Sequence, residues 1–185
     1  MNYLIFVDTE TGGLNPKNNT LLTLAVHIDA EKHGEHVRTI YSGEFLIQPR
    51  LEYFTEDVAL EVNNIDLESH IKNSYKPERV KDFFKELLSL NNINSKNAVF
   101  VGQNIPFDIG FLKEHLFIEE KNFFNNFHIQ DTKILAKKYL ELENYSLGTI
   151  AKHYNYETKF HNALNDVLAT RHVYYKMREE FGKKK

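Results

Sequence analysis

The segment Leu4-Ile5-Phe6-Val7-Asp8-Thr9-Glu10-Thr11-Gly12-Gly13-Leu14 decides how the rest of the chain is read. Its opening apolar run predicts a strand buried on both faces. Side chains alternate along a strand, so Asp8 and Glu10 point to the same side of the sheet at its carboxyl edge, where ligand sites of open α/β sheets collect. Two carboxylates so placed suit a hard-oxygen cation site. Gly12 and Gly13 let the backbone turn sharply and approach a ligand, and Leu14 puts an apolar side chain just outside the acidic pair. The same residues also fit a strand followed by an ordinary acidic turn, so the remaining chain must separate the two readings.

At 185 residues, 42% hydrophobic and 26% charged, the chain fits one globular domain, drawn here as residues 1–182 with a basic tail at 183–185. No apolar run approaches the roughly 20 residues that cross a bilayer, so no membrane partner is expected. Met1-Asn2-Tyr3 enters the first strand with no basic segment and cleavable apolar stretch, and there are no cysteines. A cytoplasmic location is the expectation, and thiolate metal sites are excluded. A net charge of −3 argues against a broad electropositive surface, so any contact with nucleic acid must be local or helped by cations.

Outward from the first strand, Asn15–Asn19 reads as a loop, Leu21–Ile28 as a second strand, Asp29–Glu35 as a polar connection and Val37–Ile47 as a third strand, a meander. Leu51–Ile71 has a mixed pattern, with short helical pieces near Thr55–Glu61 and a turn at Asn63-Asn64. Pro77 opens a helix whose Val80, Phe83, Phe84, Leu87 and Leu88 recur at core-packing spacing. A short strand, Ala98–Val101, then leads to Gly102-Gln103-Asn104-Ile105-Pro106-Phe107-Asp108. Pro106 suits the first position of a helix running past His115. Asp108 then falls in its first turn, at the same sheet edge as Asp8 and Glu10. Alone, such an Asp reads equally as a helix-stabilising charge.

Phe127–Gln130 reads as a fifth strand, Asp131-Thr132 caps a helix bearing Ile134, Leu135 and Tyr139, and Ser146 caps another. The last helix starts after His161, with Leu164, Val167, Leu168, Tyr174 and Tyr175 as its buried stripe. Ala163, Asp166 and Thr170 form a narrower stripe of short side chains with room for a metal and a phosphate. His161 and Asp166 are five apart, which places His161 in the preceding loop and Asp166 on the helix. The other eight histidines read as uninvolved surface residues.

Asp8, Glu10, Asp108 and Asp166 would thus converge at one edge. Left unneutralised, they would repel one another and raise each other's pKa values. All-oxygen ligands suit two Mg²⁺ or Mn²⁺ ions rather than zinc, and a metal pair about 3.5–4 Å apart can clamp the attacking and leaving oxygens of a phosphodiester. An imidazole, with an ordinary pKa of about 6.5, can take a proton from the attacking water at neutral pH, a part that suits His161 in its loop.

Asp8-Thr9-Glu10, Asn104-Ile105-Pro106-Phe107-Asp108 and His161-Asn162-Ala163-Leu164-Asn165-Asp166 resemble, in order and spacing, the three motifs of the DEDDh family, the DnaQ-like 3′-to-5′ exonucleases. The resemblance runs from residue 4 to about residue 175. It implies an α/β, RNase H-like fold with a five-stranded mixed sheet flanked by helices. It implies that Asp8, Glu10 and Asp166 hold the first metal, that Asp8 with Asp108 serves the second, and that His161 is the general base. It also implies that the backbone around Thr11 and Gly12 receives the 3′-terminal nucleotide, that Leu14 wedges against its base, and that Asn104 and Phe107 line the pocket. Gly12 departs from the Thr that many members carry.

The function so implied is a metal-dependent 3′-to-5′ exonuclease releasing nucleoside 5′-monophosphates from single-stranded DNA or RNA 3′ ends. The alternatives are a catalytically idle domain of the same fold that docks a partner, and a proofreading subunit within a DNA polymerase complex. Many relatives pair up, so a homodimer also stays open, as does the choice between DNA and RNA.

Overall fold

β1 (Asn2–Thr11) runs through the middle of a five-stranded sheet ordered β3-β2-β1-β4-β5. The structure, a computed structural model, describes residues 1–182, and the expected basic tail at 183–185 lies outside the described residues. β2 (Leu21–Lys32) and β3 (Glu35–Leu46) extend β1 as an antiparallel meander, while β4 (Ala98–Gly102) and β5 (His128–Asp131) add in parallel on its other side. This is the expected five-stranded mixed sheet.

Leu4, Ile5, Phe6 and Val7 are all buried, as a central strand covered on both faces requires. Leu4 and Phe6 pack with Val167 and Tyr174 of α7 (Ala163–Phe181). Ile5 and Val7 face the opposite layer, where Phe84 of α3 (Pro77–Leu90) and Phe111 of α4 (Pro106–His115) lie. Burial of each large apolar side chain contributes about 1.5–3 kcal/mol, so the carboxyl end of β1 is held on a rigid support. α5 (Thr132–Tyr139) and α6 (Leu147–His153) pack on α7 through Ala136, Ile150, Val173 and Met177. α1 (Asp57–Asn63) and α2 (Leu67–Asn73) fill the stretch of mixed pattern between β3 and α3.

Three expectations are corrected. Asp29 to Lys32 is strand rather than connection; the turn is confined to His33 and Gly34, both at positive φ. The acids there are tolerated because Asp29 and Glu31 are paired with Arg171 and Arg178 from α7. Three of the eight histidines set aside as surface residues are buried and hydrogen-bonded. His27 meets Asp29 at 3.0 Å, and His70 and His115 donate to the carbonyls of Ile47 (3.0 Å) and Pro16 (3.1 Å). Phe83 is 42% exposed instead of lying in the core, and its ring packs at a tilt against Tyr41 and Phe45 of β3.

Candidate active site at the carboxyl edge

Asp8 and Glu10 continue the face of β1 that carries Leu4 and Phe6, so they project toward α7, whose first turn holds Asp166. Asp8, Glu10 and Asp166 each offer a carboxylate oxygen, and the three atoms lie within 4.8 Å of one another. Asp108 arrives from the other layer at the start of α4, and its Oδ1 accepts a 2.7 Å hydrogen bond from the Thr9 hydroxyl. It is outside the tight group of three but close enough to act on its charge.

The electrostatics follow from this crowding. Burial, then the charges of Asp108, Asp166 and Glu10, push the Asp8 carboxyl well above the usual carboxylate range. Burial and the same kind of repulsion, chiefly from Asp166, push Glu10 up to about 8. Burial raises Asp108 to about 7 against the opposing hydrogen bond from Thr9, and raises Asp166 to about 6 against the His161 N–H. Asp166 Oδ1 is buried with no hydrogen-bond partner among the described residues, an arrangement that costs free energy unless something supplies a positive charge. Hard oxygen donors, mutual repulsion and one orphaned buried oxygen fit a divalent cation.

The repulsion has a measurable consequence. A carboxyl whose folded pKa is raised contributes stability that is fully present below its unfolded pKa and is lost as pH climbs to the folded value. For Glu10 that window runs from about 4.5 to about 8. In EDTA, lowering the pH from 8 to 5 is therefore expected to stabilise the protein, with about 4 kcal/mol, or about 10 °C in Tm for a chain of this size, from Glu10 alone and the raised Asp8, Asp108 and Asp166 acting in the same direction. Burial holds the His115 pKa down, which opposes the trend to a lesser degree below pH 6.5. Differential scanning calorimetry across this range checks the expectation, and a Glu10→Gln variant that keeps the full slope would overturn its assignment to this cluster.

His161 occupies the loop before α7 at φ 61°, a left-handed backbone conformation uncommon for a residue with a side chain. Its backbone N–H donates to Asp166 Oδ2 at 3.2 Å, and its exposed side chain borders a cavity of about 420 Å³ shared with Glu10, Glu44, Asn63 and Lys159. The loop is held from below by Asn165, which donates to the Lys159 carbonyl, and by Asn162, which caps α7. Ala163 and Thr170 are fully buried. The short-side-chain stripe therefore lets α7 lie close on the sheet at Thr170, and at its other end Ala163 borders that cavity.

A second cavity, of about 320 Å³, opens on the other side of Glu10. Thr11, Leu14 and Phe107 line it. Gly12 does not. Its N–H donates to Thr20 O and its carbonyl accepts from Glu56 N, both at 2.8 Å, so neither backbone group is available to a nucleotide. A Cβ there would sit 2.9 Å from Thr55 Cα, and glycine is the residue that lets the two segments close. Asn104 also lies elsewhere, at φ 60° beside Gln103 in a separate groove. In their place the cavity is walled by Glu56, Val58, Ala59, Val62 and Asn63 of α1 and its cap. These were not singled out from sequence. The available signal was Val58 and Val62, four apart in a helix that buries none of its residues, both more than half exposed.

Comparison with known proteins agrees with this architecture. The RNase_T exonuclease family matches residues 5–174. The DNA polymerase III PolC-type of Latilactobacillus sakei is 27% identical over 180 residues, covering 96% of this chain and 11% of the polymerase. E. coli exonuclease I in complex with a dT13 oligonucleotide superposes with a TM-score of 0.78 at 16% identity, over 99% of this chain and 42% of that one. The zinc-bound form of the E. coli enzyme with single-stranded DNA gives 0.76 at 15% identity, over 97% and 41%. This chain thus spans about a ninth of that polymerase and under half of the exonuclease I chains. Sheet order, flanking helices and the extent of the match lead to one assignment: the chain belongs to the RNase_T exonuclease family.

Proposed function

We propose that residues 1–182 form one metal-dependent 3′-to-5′ exonuclease domain that removes nucleoside 5′-monophosphates from single-stranded 3′ ends. The observation that carries this reading is the orphaned Asp166 oxygen among Asp8 and Glu10, flanked by one cavity bordered by His161 and another lined by exposed apolar side chains. Asp8, Glu10 and Asp166 would hold one Mg²⁺ or Mn²⁺, and Asp8 with Asp108 a second. When bound, the ions supply charge stabilisation at the attacking and leaving oxygens of the phosphodiester.

The chain's own residues supply the rest. The terminal base stacks between Leu14, Val58, Val62 and Phe107, a sequence-tolerant contact available only to an unpaired end. Asn63, whose side chain donates to Thr11 O at 3.0 Å, fixes the wall of that pocket against β1. His161 accepts the proton of the attacking water, and the loop that carries it moves aside for the product. His161→Ala is expected to cut the rate by roughly 10²- to 10⁴-fold. Unchanged turnover in that variant would assign the proton to another group.

A time course on 5′-labelled single-stranded DNA and RNA of one sequence, with Mg²⁺ and then Mn²⁺, tests the proposal. A one-nucleotide ladder receding from the 3′ end supports it, and the absence of any ladder refutes it. The DNA-handling relatives favour DNA as the faster substrate. The resemblance to a PolC-type polymerase supports a second reading, in which the same chemistry proofreads for a polymerase. Faster removal of a mispaired than a paired 3′ terminus on a primed template would favour it.

A further inference from the structure

A third concavity opens at the same sheet edge, toward β5. It is a groove of about 550 Å³ between the starts of α5 and α6, floored by Gln103 and Asn104 and walled by Lys133, Lys137, Asn144 and Tyr145. Lys133 and Lys137 are one helical turn apart and so lie on one face of α5. Lys72, Lys81, Lys85, Lys121 and Lys176 are each engaged with a carboxylate, while most other described lysines are not; Lys133 and Lys137 are set apart by lining one groove together. Among the described residues, Lys133 and Lys137 have no acidic partner within ion-pair distance; the Lys137 ammonium lies over the Tyr145 ring, 6.0 Å from its centre.

The groove is braced rather than loose. Gln103 donates to the Tyr145 carbonyl at 2.9 Å and accepts from the Thr132 hydroxyl at 2.6 Å, tying the loop before α6 to the start of α5. Asn104 N–H donates to Asp131 Oδ1 at 3.0 Å, and the Asn104 carbonyl accepts from Phe107 N–H at 3.0 Å. The floor of the groove is thus continuous with the turn that delivers Phe107 and Asp108 to the carboxylate site. In a chain of net charge −3, a pair of unneutralised lysines beside amide side chains and an aromatic ring marks a place for a polyanion rather than for a protein acid already present.

We propose that this groove holds the phosphodiester backbone of the substrate strand just upstream of the scissile bond, with Lys133 and Lys137 each neutralising one phosphate. The inference rests on the exonuclease reading and extends it from the terminal nucleotide to the strand behind it. A dinucleotide has no phosphate that reaches the groove, whereas a 12-mer does. Each ammonium is a point charge on a phosphate, so losing both removes two released counterions from binding.

The test compares the wild-type chain with the Lys133→Gln/Lys137→Gln double variant on thymidine dinucleotide and on 12-mer DNA and RNA, and measures binding of a 5′-fluorescein 12-mer by anisotropy in Ca²⁺ over a salt series. In the variant, kcat/KM for the 12-mers relative to the dinucleotide is expected to fall about 25-fold at 0.1 M salt, and the slope of log K against log salt to flatten by about 1.4. Parallel losses on DNA and RNA assign the contact to phosphate; a loss on one alone assigns it to the sugar and overturns the phosphate pairing. Equal ratios and equal slopes in the two proteins overturn the proposal outright. If the wild-type chain cleaves neither substrate, the exonuclease reading fails, and the anisotropy slopes still decide the groove. Circular dichroism melts of the double variant, expected to match wild type for two surface side chains, exclude misfolding as the cause.

Discussion

Asp8→Asn is expected to abolish turnover, by about 10⁴-fold or more, and at the same time to raise the Tm of the metal-free protein. The two effects have one cause. Asp8 is the carboxylate on which the charges of Asp108, Asp166 and Glu10 all act, and burial adds to the penalty of keeping it ionised. An amide of the same shape removes that repulsion from the folded state and also removes the oxygen that both proposed ions would share. Sites built for catalysis commonly carry such a cost in stability. Rates on a labelled oligonucleotide, paired with thermal melts in EDTA and in Mg²⁺, check both halves. Near-normal activity would exclude Asp8 as a shared ligand. A lower metal-free Tm would show that the cluster is held together in some way other than by a cation.

That pairing of opposite signs also separates site from scaffold. A variant inactive because it is misfolded melts lower in every condition. In the Asp8 variant the gain from Mg²⁺, which binds only the folded state, should instead shrink toward zero. His161→Ala, by contrast, leaves the carboxylates intact and should retain the full metal-induced rise in Tm while losing rate.

How much of this was legible in the sequence depends on the reach of the interaction involved. The β1 run, the Pro106 helix start and the helix that begins after His161 are local signals, and from sequence they point Asp8, Glu10, Asp108 and Asp166 to one edge. The pocket was less legible. Gly12 looked like a residue for approaching a ligand, but it is the backbone of Thr55, 43 positions on, that approaches it. The pocket wall came from α1, a seven-residue helix that buries nothing and so lacks the apolar periodicity by which helices are recognised. The buried histidines were missed for a similar reason: His115 is satisfied by a carbonyl 99 residues away, a pairing that no local pattern encodes.

Asp29 carries that point to its largest consequence. By composition it sits at the start of a polar stretch, Asp29-Ala30-Glu31-Lys32-His33, and reads as a loop. In the fold it is fully buried at 0% exposure, and its two oxygens accept five hydrogen bonds from three elements. Oδ1 takes them from His27 at 3.0 Å, His36 at 3.1 Å and Thr39 at 2.9 Å. Oδ2 takes them from Arg171 at 2.6 Å and Tyr175 at 3.1 Å. Burial alone would raise its pKa, but the hydrogen bonds from His27 and Arg171 and the Arg171 charge outweigh it and hold the carboxyl well below the usual range. The sign is therefore opposite to that of the acids clustered at the carboxyl edge: the stability Asp29 contributes is present above the unfolded pKa of about 3.8 and is lost as pH falls below it. Asp29→Ala strands Arg171 and the Tyr175 hydroxyl against the sheet without a partner, and is expected to destabilise by about 3–5 kcal/mol, or roughly 10–15 °C in Tm. Because Asp29 lies at the far end of β2 from the carboxylate edge, the folded fraction should keep its turnover at a temperature well below the melt. A Tm within 2 °C of wild type in that variant, measured at pH 7, would mean that the buried Asp29 network adds nothing to the apolar packing and the Glu31–Arg178 pair that also join β2 to α7.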